Sequence, residues 1–273
     1  NEFVVGNYNG RTNTFTNLST VIHTDFGLWS ADWAAVGYAN GRVLQVGWLS
    51  SYRLNPQNHA PNALQALSLI REIFYDDTAN TLRAMPPVEL SLLRNGSLGS
   101  VRAIMEGETP LPLVSANKGS AVDIEVTFFL PRNHPSASFG LAVFCPPHVA
   151  TNDDLSLCTK ITVNVSGQTM NVASNDSGST RYEPGLSMSM SVAVPTTPYI
   201  NATNATSDWF VVPVGAHPGT PVEIRLRVLT DRNIVEAFGA DGLASVSILT
   251  FPAFGHTAAF AFSHVGNGSV ALN

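Results

Sequence analysis

The chain has 273 residues, 44% hydrophobic and 12% charged, with a formal net charge of -6. That apolar content is ample for a packed core, in one large all-β domain or two smaller ones. The acidic balance leaves no basic surface to hold a phosphate backbone, which argues against nucleic acid as a partner. The longest apolar runs, such as Leu141 to Cys145 and Thr257 to Phe262, fall well short of the roughly 18 residues of a helical membrane span.

In chain order, Asn1-Glu2-Phe3-Val4-Val5-Gly6 reads as a strand already under way, without initiator Met or signal peptide, and further chain is expected upstream. Asn95-Gly96-Ser97-Leu98-Gly99-Ser100 has two glycines and two serines in six residues, a polar joint that divides 1–94 from 101–273. Beyond it, Val122 to Phe128, Phe139 to Phe144 and Thr159 to Val165 alternate or run apolar at strand length, separated by Pro, Asn, Asp and Gly. Strands at this spacing predict a β-sandwich with very little helix. Asn171 to Tyr199, rich in Ser, Met and Pro, is expected to be mostly loop around one strand, Leu186 to Val194.

The clearest pattern comes near the end. Glu223, Arg225 and Arg227 alternate with Ile224, Leu226 and Val228, one wet face and one buried. The period resumes over Ile234 to Phe238 and again over Ala244 to Leu249, and Asp241-Gly242 supplies the positive φ of a tight hairpin between them. Three antiparallel strands are predicted.

Asp231-x-Asn233-x-Val235-Glu236-x-Phe238, a Gly-bearing turn and a further strand ending at Pro252 resemble the D-x-S-x-V-E-x-F segment in the C-terminal sandwich of glycoside hydrolase family 32, with Asn233 in place of the serine. Other stretches resemble that family's five-bladed propeller: Phe3 to Gly10 with Thr14-Phe15-Thr16, then Asp25-Phe26-Gly27, Trp33-Ala34-Ala35, and Gly41 to Trp48. Trp29 is an alternative occupant of the aromatic position given to Trp33, because three extra residues follow Asp25. Ser68-Leu69-Ile70-Arg71-Glu72 resembles S-L-P-R-E with Ile70 for the proline, and Pro87 to Arg94 resembles the segment that leaves the propeller. The resemblance implies an all-β fold, the last blade or blades of a propeller over 1–94 followed by a sandwich over 101–273. It further implies a β-fructofuranosidase acting on sucrose or fructan.

A retaining glycosidase needs two carboxyl groups about 5 Å apart across the scissile bond. The family's W-M-N-D-P-N-G, R-D-P and E-C-P motifs are absent here, so no catalytic residue is assigned, and a separate N-terminal propeller fragment or other chain is expected as partner. Tyr52, four residues after Trp48, occupies the place of a pocket tryptophan, and with Trp33 and Asp25 it forms the substrate-binding expectation; Trp33 and Trp48 also suit an apolar core. Asp231 and Glu236 are expected to make structural hydrogen bonds or ion pairs, and Asp76-Asp77 and Asp153-Asp154 to be solvated turns. The seven histidines are scattered, without a zinc spacing, and neither metal nor cofactor is expected. Cys145 and Cys158 lie in neighbouring predicted strands, close enough for a disulfide or a pair of buried thiols. Sequons begin at Asn17, Asn95, Asn164, Asn175, Asn201, Asn204 and Asn267, a density that suits a secreted, extracellular or vacuolar glycoprotein. A non-catalytic glycoprotein that binds sugar or assembles through this scaffold is the alternative.

Overall fold

The computed structural model describes residues 2–18, 22–23, 25, 27, 29–50, 65–77, 81–101, 103–105, 107–111, 121–130, 137–147, 155–174, 180–194, 203–206, 210–213, 221–250, 252–253, 255–265 and 270–272. The strands, in chain order, are β1 Glu2–Phe3, β2 Gly6–Asn9, β3 Thr14–Asn17, β4 Ile22–His23, β5 Trp29–Ala39, β6 Arg42–Ser50, β7 Gln65–Leu67, β8 Arg71–Asp76 and β9 Thr81–Met85. After a 3-10 turn at Val88–Leu93 come β10 Ala103–Met105, β11 Gly107–Pro110, β12 Ala121–Leu130, β13 Ala137–Cys145, β14 Thr159–Ser174, β15 Thr180–Val194, β16 Thr203–Thr206 and β17 Phe210–Pro213. The chain ends through β18 Val222–Asp231, β19 Ile234–Gly239, β20 Ala244–Leu249, β21 Ala258–Val265 and β22 Val270–Leu272. Among the described residues no α-helix occurs, in line with the period-2 patterning.

The second half is a β-sandwich. One sheet runs β10-β22-β12-β18-β19-β20 and the other β11-β21-β13-β14-β15-β16, with β17 also paired to β15. Their facing side chains make the core: Phe128, Leu130, Ile224, Leu226 and Val228 from one, Phe139, Leu141, Ile161, Met188 and Met190 from the other. Phe128 and Phe139 meet with ring centroids 4.6 Å apart. Cys145 and Cys158 form a disulfide with Cα atoms 4.6 Å apart, among Ala142, Leu155, Ala258, Phe260 and Phe262.

The turn between β19 and β20 has Ala240, Asp241 and Gly242 all at positive φ, as the Asp-Gly pair requires. The region 171–199 departs from expectation. Residues 171–174 and 180–185, expected as loop, pair in the outer part of one long β14–β15 hairpin, after a register shift between Val165 and Gly167; Leu186–Val194 is strand as expected. Strand pairing is made by backbone groups, and Asn171 to Ser174 and Thr180 to Gly185 carry no sustained apolar alternation that would announce it.

In the first half, β5, β6, β8 and β9 form an antiparallel sheet, with β7 joined to β6; β1–β4 and β2–β3 are separate two-stranded pieces. One face of the larger sheet turns to the sandwich: Leu49 is fully buried within the sandwich core cluster. The opposite face carries Leu44, Val46 and Trp48, all half-buried, and Phe74, which is 43% exposed. The segment from Arg94 to Ser100 has no regular structure and is exposed. The chain is tied where it enters this segment: Arg42 bonds Glu89 at 3.0 Å, and Arg94 Nε bonds Asp123 at 2.8 Å. The hydrogen bonds from Arg42 hold the Glu89 carboxyl down at about 2.

Candidate functional site

The seam between the two halves is built around three charged side chains. Among the described residues, Asp25, Arg71 and Glu236 are the buried charged groups. Glu236 pairs with Ser247 and Phe238 with Ser245 across β19 and β20, so alternation puts all four side chains on one face of those strands. Val235, Ala237, Val246 and Ile248 fill the core from the other face. The outward face would be wet in an isolated sandwich; here Arg71, first residue of β8, enters it from the neighbouring sheet.

Arg71 is 0% exposed. Its Nη1 donates to Ser245 Oγ at 3.0 Å and its Nη2 to Glu236 Oε2 at 2.7 Å, and Nη2 also contacts the Ser247 hydroxyl. Asp25 Oδ2 lies 2.8 Å from the same nitrogen, so Nη2 faces both carboxylates and a hydroxyl. The guanidinium lies over the Phe238 ring, 5.0 Å from its centroid. Burial by itself would lower the Arg71 pKa; the charges of Asp25 and Glu236, with the hydrogen bonding around them, outweigh it and raise the pKa.

One cation against two carboxylates leaves a net negative charge in the seam, and neutral donors complete its solvation. Asp25 Oδ1 accepts the N–H groups of Gly27 at 2.7 Å and Ser247 at 3.1 Å. Glu236 Oε1 accepts the Leu69 N–H at 2.5 Å, and Oε2 accepts from Ser247 Oγ at 3.1 Å. Gly27 must be glycine, because a Cβ there would lie 1.9 Å from the Ser247 carbonyl oxygen.

Of the expected site residues, Asp25, read as lying beside a sugar, is 7% exposed and directs both oxygens into this seam. Trp33 is in β5 with its side chain undescribed, and Tyr52 lies outside the described residues. Trp48 sits half-buried in β6, on the face away from Arg71. Glu236 is in a structural ion pair, while Asp231 is exposed at the end of β18. Asp76, expected to be a solvated turn residue, ends β8 and pairs with Arg83; Asp77 is exposed in the turn, and Asp153-Asp154 lie outside the described residues. Asn17 and Asn95 are exposed and Asn164 half-buried in β14; Asn204 is in β16 with its side chain undescribed; Asn175, Asn201 and Asn267 lie outside the described residues. Sequence reasoning assigns no role to Arg71, Ser245 and Ser247, although Ser-x-Ser opposite Glu-x-Phe is the polar face that such a network needs. Among the described residues no group of three His, Cys, Asp or Glu side chains is placed to hold a metal ion.

Residues 89–273 match the family described as glycosyl hydrolases family 32 C terminal. No curated protein matches the chain. Among solved structures it is similar to fructan 1-exohydrolase IIa from Cichorium intybus, with TM-score 0.63 and 16% identity over 98% of this chain and 53% of that one. It is also similar to exo-inulinase from Aspergillus awamori, with TM-score 0.63 and 14% identity over 99% and 48%. Sucrose-6-phosphate hydrolase from Lactobacillus gasseri gives TM-score 0.57 and 16% identity over 99% and 46%. Likeness at such identities establishes the fold, and the chain spans about half the length of these structures.

Proposed function

This chain belongs to glycosyl hydrolase family 32, its C-terminal domain lying within residues 89–273, and from that premise we propose that it is the C-terminal part of a β-fructofuranosidase. The observation that carries the reading is the chain-wide likeness, both halves together, to fructan-hydrolysing enzymes about twice its length. The substrate class is sucrose or a fructan; the Cichorium intybus enzyme has been solved with 1-kestose.

In this reading the catalytic carboxylates stand on a propeller portion that precedes this chain in the whole enzyme or associates with it. The buried carboxylates of this chain, Asp25 and Glu236, are sealed against Arg71 at 7% and 1% exposure and cannot reach a glycosidic oxygen. The sheet β5-β6-β8-β9 serves as the last blade, and its second face, with Leu44, Val46, Trp48 and the exposed Phe74 beside the Arg42–Glu72 ion pair, would pack on another blade. The hairpin β2–β3, exposed along its length with Tyr8 at 64% and Phe15 at 51%, fits the outer edge of a blade whose inner strands lie in the same missing portion. Trp33 and Tyr52 would line the sugar end, and the exposed sequons Asn17 and Asn95 would carry glycans in a secreted glycoprotein.

The test is to assay fructose release from sucrose and from 1-kestose by this chain alone and by the same chain joined to a family 32 propeller portion bearing both carboxylates. Release is expected only from the joined protein. Turnover by the chain alone, lost on replacing one of its own Asp or Glu residues, would overturn the assignment. A joined protein that binds sugar without hydrolysing it would favour the non-catalytic glycoprotein.

A further inference from the structure

We infer that Glu236 is a positioning residue, through which the sandwich fixes the hairpin stem made by the end of β6 and β7. The inference takes from the fructosidase reading only its kinetic consequence, namely that this stem carries the chain toward the sugar.

The need for such a residue arises in β6. Residues Val43 to Gln45 pair with β8, whereas Trp48 to Ser50 pair with β7. Gly47 stands where the strand changes partners on that edge; on the other edge the β5 ladder shifts register between Ala35 opposite Val46 and Ser30 opposite Trp48, so no ladder pairs Gly47 itself. Both of its backbone groups are taken by one residue, Ser68. The Ser68 N–H donates to the Gly47 carbonyl at 2.8 Å, and the Gly47 N–H donates to Ser68 Oγ at 2.9 Å. Ser68 is itself buried, and its hydroxyl donates to the Leu69 carbonyl at 2.9 Å. The next link is Leu69, whose N–H is received by Glu236 Oε1 at 2.5 Å.

The two oxygens of Glu236 therefore have different tasks. Oε2 faces Arg71 and Ser247 and belongs to the seam. Oε1 reaches out of the sandwich to a backbone N–H in the link between β7 and β8. A carboxylate acceptor makes that bond about twice as strong as one between neutral groups. Leu69, Ser68 and Gly47 then hold the Trp48 and Leu67 pair in register, and the stem closes at Ser50 and Gln65, between which residues 51–64 run. The sandwich thus reaches the hairpin through side chain and backbone alone.

The test separates this task from general stability with three variants of the joined protein: Glu236→Gln, Ser68→Ala and Ser247→Ala. Glu236→Gln leaves a single acceptor oxygen, which cannot serve both Arg71 and Leu69. Ser68→Ala frees the Gly47 N–H while leaving the seam intact, and Ser247→Ala thins the seam without touching the hairpin. Glu236→Gln and Ser68→Ala are expected to raise KM for sucrose about fivefold to tenfold, with kcat within about twofold, as a small misplacement of a binding group does. Ser247→Ala is expected to lower the urea midpoint and leave KM unchanged. In parallel, amide hydrogen exchange on the chain alone should quicken at Leu69 in Glu236→Gln and at Gly47 in Ser68→Ala, while the Ala84 amide keeps its protection. Unchanged KM in both hairpin variants, or an equal rise in Ser247→Ala, overturns the inference. If the unsubstituted joined protein turns over no β-fructoside, the fructosidase reading fails. The exchange measurement then decides the positioning role alone, and uniform acceleration across all three amides overturns it.

Discussion

Arg71→Met is the perturbation that most directly probes the seam, because it keeps an apolar stem of similar reach over Phe238 while removing the charge that two buried carboxylates face. Arg71 gives up hydrogen bonds to Glu236, Ser245 and Ser247 and the 2.8 Å contact with Asp25. Breaking a buried ion pair by deleting one partner costs roughly 3 to 5 kcal/mol, since the remaining charge stays desolvated. The backbone donors Gly27, Ser247 and Leu69 remain and temper the loss, which puts the expected cost near the lower figure, about 3 kcal/mol at pH 7. Against a total stability of about 5 to 15 kcal/mol that is a large fraction. Urea unfolding followed by tryptophan fluorescence measures it. A loss below about 1 kcal/mol at pH 7 would refute this account of the seam.

The edges of the same structure yield two more expected outcomes. Burial pushes the Asp123 carboxyl up, but hydrogen bonds from Arg227 and Arg94 outweigh it and hold the pKa below the usual range. The stability this contributes is present above the unfolded aspartate value of about 3.9 and is lost as pH falls through the lower folded value. Asp123→Asn should therefore cost about 1 kcal/mol at neutral pH, the solvent-screened Arg94 counting little, and the gap should close in urea titrations well below pH 4. Gly242→Ala should cost about 2 to 3 kcal/mol, since φ is 85° and the new Cβ would lie 2.6 Å from the Ala84 carbonyl oxygen. Gly41→Ala, at φ 77° with nothing within 4 Å, bears only the conformational part, about 1 kcal/mol, and thermal unfolding of the pair checks the difference.

What the sequence discloses depends on whether side chains or backbone carry the structure. The strands β18 to β20 are legible because each buries one apolar face, and the burial of Val222, Ile224, Leu226 and Val228 follows the alternation residue by residue. The β14–β15 hairpin beyond Val165 is not, because its pairing needs only N–H and carbonyl groups, which every residue but proline supplies. The seam is half legible. Glu236 can be given an ion pair, but its partner Arg71 is 165 residues away and no local pattern names it. Asp25 poses the same difficulty: a carboxylate beside a Gly turn reads alike whether it faces a sugar or a buried guanidinium.

The polarity of the seam decides what kind of joint it is. An apolar contact between β8 and β19–β20 would stabilise the assembly at least as well, since replacing a buried ion pair with packed hydrocarbon is often neutral or better. It would also tolerate sliding, because dispersion contacts have no direction. Arg71 permits no such freedom: a shift of one strand position would turn Glu236 and Ser247 away and present Val235 and Val246 to the charge. Directional bonds to Leu69, Gly27 and Ser247 fix the backbone on both sides in the same stroke. The seam therefore specifies one relative placement of sheet and sandwich, as the proposed anchoring of the β6–β7 stem by Glu236 requires.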